Sequence, residues 1–111
     1  MNLMTDRQSV AANGSVNNAL SGKLHEFVTR PSKIRIYGSA SAVGLNMSAL
    51  VGGQSFMQDQ EVNAQNRMPI VPDDIMAEAG ARAGDRLLVS YRNTTGGAIT
   101  AFLRVEVIPI A

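Results

Sequence analysis

The clearest alternation of apolar and polar residues lies in the last quarter of the chain, between Arg86 and Ile110. Apolar residues occupy every second position in two stretches there, and successive side chains of a β-strand point to opposite faces. The pattern predicts two strands that the turn residues Asn93–Ala98 join into a β-hairpin. The positions on the apolar faces are Leu87, Val89 and Tyr91 in the first strand and Ile99, Ala101, Leu103, Val105 and Val107 in the second.

The first half of the chain shows the same alternation in shorter stretches. Lys23–Arg30 predicts a strand that Pro31 ends, and Lys33–Tyr37 predicts a second strand with cleaner alternation. Ser41–Val51 predicts a third strand, although its alanines leave a helix open as an alternative. Gln54–Arg67 is polar and predicts a long loop that holds one or two short strands.

One short helix is predicted at Asp73–Gly80. Asp73 or Asp74 can cap its first turn, and Gly80 can end it. Neither a long helical stripe nor an alternation of strands with helices is present. We therefore expect an all-β fold, a single β-sandwich of six to eight short strands with this one helix, over residues 23–111.

Residues 1–22 predict a flexible N-terminal arm. The segment is rich in Asn, Ser, Ala and Gly and shows no sustained apolar period. Its scattered apolar residues suit an extended segment that docks on a neighbouring subunit, and a disordered tail is the alternative. Deletion of residues 1–20 is then expected to abolish assembly while the sandwich stays folded. The candidate contacts in the arm are Leu3, Met4, Val10, Val16 and Leu20.

Composition narrows the class of protein. The 111 residues suit one domain, and only 17% of them are charged, so the surface favours association. The net charge of +1 gives no general attraction to nucleic acid. The absence of cysteine excludes disulfides and thiolate metal sites. Neither a signal pattern nor an apolar run long enough to span a bilayer is present, so a soluble chain without a membrane span is expected.

Residues capable of catalysis are few. Asp73, Asp74 and Glu78 form an acidic cluster that could hold a cation on one helical turn, but acidic residues in a first turn more often oppose the helix dipole. Asp59 and Glu61 could act as paired carboxylates on a glycoside, but the chain has no tryptophan. His25, the single histidine, has no identifiable partners. We expect no enzyme activity, no cofactor and no metal.

Arginine and lysine residues alternate outward along the predicted strands and could gather into a basic patch. Single-stranded nucleic acid also requires stacking aromatic residues, and the chain has only three Phe and two Tyr. Nucleic acid is therefore a weaker candidate partner than another protein. Arg35, Tyr37 and Arg92 are added to the candidate assembly contacts. The basic set is Arg30, Lys33, Arg35, Arg67, Arg82, Arg86, Arg92 and Arg104.

The stretches Gln60–Asp74 and Ala83–Ala98 resemble small structural proteins of bacterial viruses. The resemblance extends over about residues 33–110, and its motifs are turn and strand signals. It implies a jelly-roll or related sandwich that serves as a capsid, spike-base or decoration subunit in the virion. Partners would be further copies of the chain or other capsid proteins.

A carbohydrate- or receptor-binding module is the alternative function. Its recognition surface would be the loop Gln54–Arg67. An exposed pocket with an aromatic floor, formed by Tyr37, Phe56 or Tyr91, would distinguish this function from that of a structural subunit.

Overall fold

The computed structural model describes residues 2–20, 22, 26–70 and 74–110. These residues contain strands and no helix, so the prediction of an all-β fold is confirmed and the prediction of a short helix is wrong. The strands are β1 (Asn2–Val10), β2 (Ser15–Val16), β3 (Ser32–Ala40), β4 (Leu45–Val51), β5 (Gln54–Glu61), β6 (Ile75–Ala81), β7 (Leu87–Asn93) and β8 (Ile99–Pro109).

The strands form two antiparallel sheets of four. The first sheet has the order β1-β8-β3-β6, and the second has the order β2-β7-β4-β5. Only β4 and β5 are both consecutive in the chain and adjacent in a sheet. Every other connection between consecutive strands leads from one sheet to the other.

The hydrophobic core joins the inner faces of the two sheets. Ile34 and Ile36 come from β3 of the first sheet, and Leu45 and Met47 come from β4 of the second. All four are fully buried, and the polar or half-buried residues between them face outward. Burial of each such side chain contributes about 1.5–3 kcal/mol, which explains why the alternating stretches become strands.

The predicted C-terminal hairpin is wrong in its pairing, although both of its strands exist. β7 pairs with β4 and β8 pairs with β3, so the two strands lie in different sheets. The segment between them, including Thr94 and Thr95, crosses from sheet to sheet. Asn93 holds this crossing: its Nδ2 donates to the carbonyl oxygens of Val10 (3.1 Å), Ala11 (3.1 Å) and Gly97 (2.8 Å).

The segment predicted as a helix is strand β6. It pairs with β3, with Ala79 opposite Ile34 and Ala77 opposite Ile36. Met76, Ala77 and Ala79 pack against the core. Tertiary pairing and burial therefore outweigh the helix propensity of Ala, Met and Glu in this segment.

The segment predicted as a flexible arm contains two strands of the sheets. β1 pairs with β8 along its whole length, and β2 pairs with β7 at Arg92 and Tyr91. Val10 and Leu20 are 1% and 0% exposed, respectively. Residues 2–20 are thus an integral part of the two-sheet fold and form no separate arm.

Three other predicted segments differ from the structure. Of Lys23–Arg30, residues 23–25 lie outside the described residues, and the rest makes one bridge, from Phe27 to Arg86. The strand predicted at Ser41–Val51 begins only at Leu45, after a turn. The stretch Gln54–Arg67, predicted as a long loop with one or two short strands, contains one strand, the eight-residue β5, which takes up more than half of it.

Candidate assembly interface

β1 forms one border of the first sheet. Its nine residues pair with β8 without a shift of register, from Asn2 opposite Val107 to Val10 opposite Ile99. In the described sheet, no strand lies on its other side. The strand contains neither proline nor glycine, residues that weaken or interrupt strands. A long row of backbone N–H and C=O groups is therefore open to a further strand.

The other three sheet borders are shorter or interrupted. β2 has two residues. The register of β5 against β4 shifts at two points, and Asp59 in β5 has a φ of 50°. The register of β6 shifts opposite Ile36 and Tyr37. Such bulges twist an edge and interrupt its row of hydrogen-bonding groups. β1 is therefore the longest regular edge in the described part of the fold.

The two faces of β1 differ in exposure. Asp6 is half-buried and lies opposite the core residue Leu103, so its side chain is on the inner face. An inward charge is one device that discourages further pairing, but it leaves the backbone edge open. On the outer face, the Arg7 guanidinium lies 5.6 Å from the centre of the Phe102 ring. The exposed outer residues are Leu3, Thr5, Arg7 and Ser9.

A polar cluster occupies the outer face of the first sheet across β8, β3 and β6, away from the β1 edge. The Tyr37 hydroxyl donates to Glu106 Oε1 at 2.9 Å, and Arg35 Nη1 lies 3.5 Å from the same oxygen. Arg35 Nε donates to Glu78 Oε2 at 2.7 Å. Burial, with a further effect of the Glu106 carboxylate, raises the pKa of Tyr37. The hydrogen bond from Arg35 lowers the pKa of Glu78. The cluster joins β3, β6 and β8 across the sheet.

Part of this outer face is covered by the connection between β5 and β6. The Ser39 hydroxyl donates to the Arg67 carbonyl oxygen, and the Asn66 amide donates to the Ala40 carbonyl oxygen at 2.9 Å. This cover accounts for the complete burial of Ser39 although its register places it on the outer face. The free part of the first sheet is therefore shifted toward β1.

The residues predicted as assembly contacts lie in four different environments. Val10, Leu20 and Tyr37 are buried within this chain and present no surface to a neighbour. Met4 and Val16 are half-buried against the core. Arg35 and Arg92 lie on the outer faces of different sheets, and each pairs with a carboxylate. Of the eight, Leu3 combines 41% exposure with a position on the open edge.

A shallow depression of about 220 Å³ lies on the outer face of the second sheet. Arg92 borders it and donates to Asp59 Oδ2 at 2.6 Å and to Oδ1 at 3.1 Å. The hydrogen bond from Arg92 lowers the pKa of Asp59. Tyr37 and Tyr91 are 0% and 2% exposed, so neither provides an aromatic floor on the surface. This burial removes two of the three aromatic residues on which a carbohydrate site was predicted.

The acidic residues predicted as possible sites do not converge. Asp73 and His25 lie outside the described residues. Asp74 accepts a hydrogen bond from the Ile70 amide at 2.8 Å, whereas Glu78 pairs with Arg35, and the helix that would align the two carboxylates is absent. Among the described residues, no group of three or more His, Cys, Asp or Glu side chains is arranged to hold a metal ion.

Sequence analysis assigned no role to three residues of this region: Thr5 on the outer face of β1, Glu106 in the polar cluster and Asn93 at the crossing between the sheets. Thr5 is polar and lies in a segment without apolar alternation. Glu106 is 2% exposed, and its signal is a carboxylate within an otherwise apolar run. Asn93 is also 2% exposed, but a buried asparagine in a turn-rich stretch has no distinctive pattern.

No protein-family model matches the chain, and searches of curated proteins and of solved structures found no significant match. Within the described residues, no helix is long and apolar enough to cross a membrane.

Proposed function

We propose that this chain is a structural subunit of a virus particle, a capsid or decoration protein that acts through contacts with its own copies and with other capsid proteins. We further propose that its two sheets form a jelly-roll sandwich. The strand orders β1-β8-β3-β6 and β2-β7-β4-β5 support the jelly roll, in which eight strands combine two Greek keys. Viral capsid domains use this architecture, as do lectins and cupins, so the fold alone does not choose among them.

The observation that carries the proposal is the open edge of β1. A nine-residue strand with regular register is a template for pairing with another chain, and most monomeric proteins interrupt or cover such an edge. The exposed Leu3 beside the edge adds apolar surface to a contact. The edge therefore supports a protein that associates.

Two observations disfavour the other classes of partner. Arg35, Arg86 and Arg92 of the predicted basic patch already pair with Glu78, Glu26 and Asp59. These pairs reduce the cationic character that a nucleic-acid backbone requires. Tyr37 and Tyr91 are buried and cannot stack on a sugar, which disfavours carbohydrate binding.

The proposal is tested with a charge placed on the open edge. Lysine on an edge strand opposes strand addition, so Thr5→Lys should lower the molar mass of the assembled protein toward that of a monomer. Static light scattering at several concentrations, in low and high salt, measures the mass. Ala42→Lys is the matched control, because it adds the same charge at a residue that is also exposed but lies in the connection between β3 and β4.

Self-assembly through β1 predicts a wild-type oligomer, the same oligomer for Ala42→Lys and a smaller species for Thr5→Lys. A wild-type monomer at every concentration would overturn the proposal. Equal masses for the two lysine variants would exclude β1 as the contact.

A further inference from the structure

We infer that two copies of this chain join β1 to β1 in antiparallel fashion about a two-fold axis that passes beside Thr5. The inference rests on the proposed function and specifies its partner, a second copy, and its register. The two four-stranded first sheets would then become one continuous sheet of eight strands. On the same side of the molecule, the border strand of the second sheet is β2. It has only two residues, so β1 provides the longer edge for pairing.

The geometry of antiparallel strands limits the choice of register. Residues directly opposite each other point to the same face of the sheet. In β1 the exposed residues alternate with the half-buried ones, so an outer residue must meet an outer residue of the partner copy. A two-fold axis perpendicular to the sheet satisfies this condition only where one residue of β1 lies opposite its own copy.

Charge repulsion then disfavours some of the registers in which the two-fold axis lies at a residue of β1. An axis at Asp6 places two carboxylates directly opposite each other, and an axis at Arg7 does the same with two guanidinium groups. Like charges in directly opposed positions destabilise a strand pair. An axis at Met4 or Gln8 avoids this but leaves a large part of the strand unpaired. The axis at Thr5 pairs Asn2–Gln8 with the same residues of the partner copy.

The Thr5 register also gives suitable neighbours to the three exposed residues of the paired segment, Leu3, Thr5 and Arg7. Thr5 meets Thr5, a favourable cross-strand pair. Leu3, which is 41% exposed, lies opposite Arg7 of the other copy, whose guanidinium rests over Phe102. The aliphatic part of the arginine can cover the leucine side chain. The two copies of Asp6 are diagonal to each other and not directly opposed.

Disulfide formation tests this register, because the chain contains no cysteine. Directly opposite strand residues have Cα atoms about 4.5–5.5 Å apart, within the range of a disulfide. Two copies of Ser9 would be offset by eight residues in the Thr5 register, about 27 Å at 3.4 Å per residue, far beyond that range. Thr5→Cys and the matched control Ser9→Cys, both on the exposed face, are therefore oxidised in parallel and followed by non-reducing electrophoresis.

We expect Thr5→Cys to form covalent dimers at least about tenfold faster than Ser9→Cys, because association raises the local thiol concentration only at the axis. A mixture of Leu3→Cys and Arg7→Cys chains should form mainly the mixed dimer. Equal rates for Thr5→Cys and Ser9→Cys in a protein that light scattering shows to be oligomeric would overturn the register and leave the proposed function standing. A monomer without cross-links would overturn both.

Discussion

The two open sides of this two-sheet molecule are built in opposite ways. On one side, β1 borders the first sheet with a regular ladder of backbone pairs, and no further strand of the described residues pairs with it. On the other side, β5 and β6 carry register shifts, and ion pairs and the connection between these strands cover the adjoining face. The bulged side follows the usual protection of sheet edges. This difference is the reason for proposing association through β1.

The largest expected effect comes from removing the β1 side. Deletion of residues 1–20 removes β1, β2 and the buried Val10 and Leu20. Burial of those two side chains alone contributes about 3–6 kcal/mol, a large share of the stability of a typical domain. We expect the truncated chain to lose cooperative urea unfolding, contrary to the behaviour of a detachable arm. A truncated chain with an unchanged unfolding midpoint would show that β1 is dispensable to the fold.

A smaller effect is expected at the residue that secures the end of β1. In Asn93→Asp, a carboxylate replaces the amide whose Nδ2 donates to three carbonyl oxygens. Loss of these donors at a buried position should lower the free energy of unfolding by about 3 kcal/mol, measured by urea denaturation. Asn17→Asp is the control, because Asn17 is exposed, and its unfolding midpoint should change little. Similar losses in both variants would contradict the role assigned to Asn93.

The smallest effect is expected on the opposite side, in acid. The Ile70 amide holds the pKa of Asp74 below its ordinary value of 3.8, and Arg35 holds that of Glu78 below 4.5. Because folding lowers these pKa values, the stability they contribute is present above the ordinary values and is lost as pH falls through the lowered ones. Hydrogen-exchange protection of β6 should therefore fall more than that of β1 as the pH is lowered through and below the ordinary values of 4.5 and 3.8.

The control for the acid effect is Glu78→Gln, which removes one of the titrating groups. Its β6 protection should be lower at neutral pH and should change less on acidification. A uniform loss of protection in β1 and β6 would contradict the contrast between the two sides.

Local pattern predicted the strands whose inner positions are all apolar. Leu87, Val89 and Tyr91 in β7 are such a case, and all three are buried. β1 was not predicted as a strand because Asp6 and Gln8 occupy inner positions and break the apolar alternation. β6 was predicted as a helix because its residues favour one, and only pairing with β3 makes it a strand. The partners of β7 and β8 lie far away in the chain, and periodicity holds no information about them.

The positions of the candidate contacts in the fold were predictable to a smaller extent than the strands. Leu3 was chosen as a scattered apolar residue, and the structure places it on the open edge. The same criterion selected Val10 and Leu20, which are core residues, because an apolar side chain looks the same in sequence whether its own chain or another covers it. The role proposed for Thr5 follows only from its position in the ladder of β1 and β8, which the sequence does not reveal.

The pairing of β1 with β8 also has a consequence for how the chain acquires its structure. The backbone pairs of β1 can form only when residues much later in the chain are available, as in the pair of Val10 with Ile99. Proteins dominated by such distant contacts fold slowly, in roughly milliseconds to seconds, since a large loop must close before the contact forms. During synthesis, β1 leaves the ribosome long before its partner and keeps both of its edges open until β8 has been made.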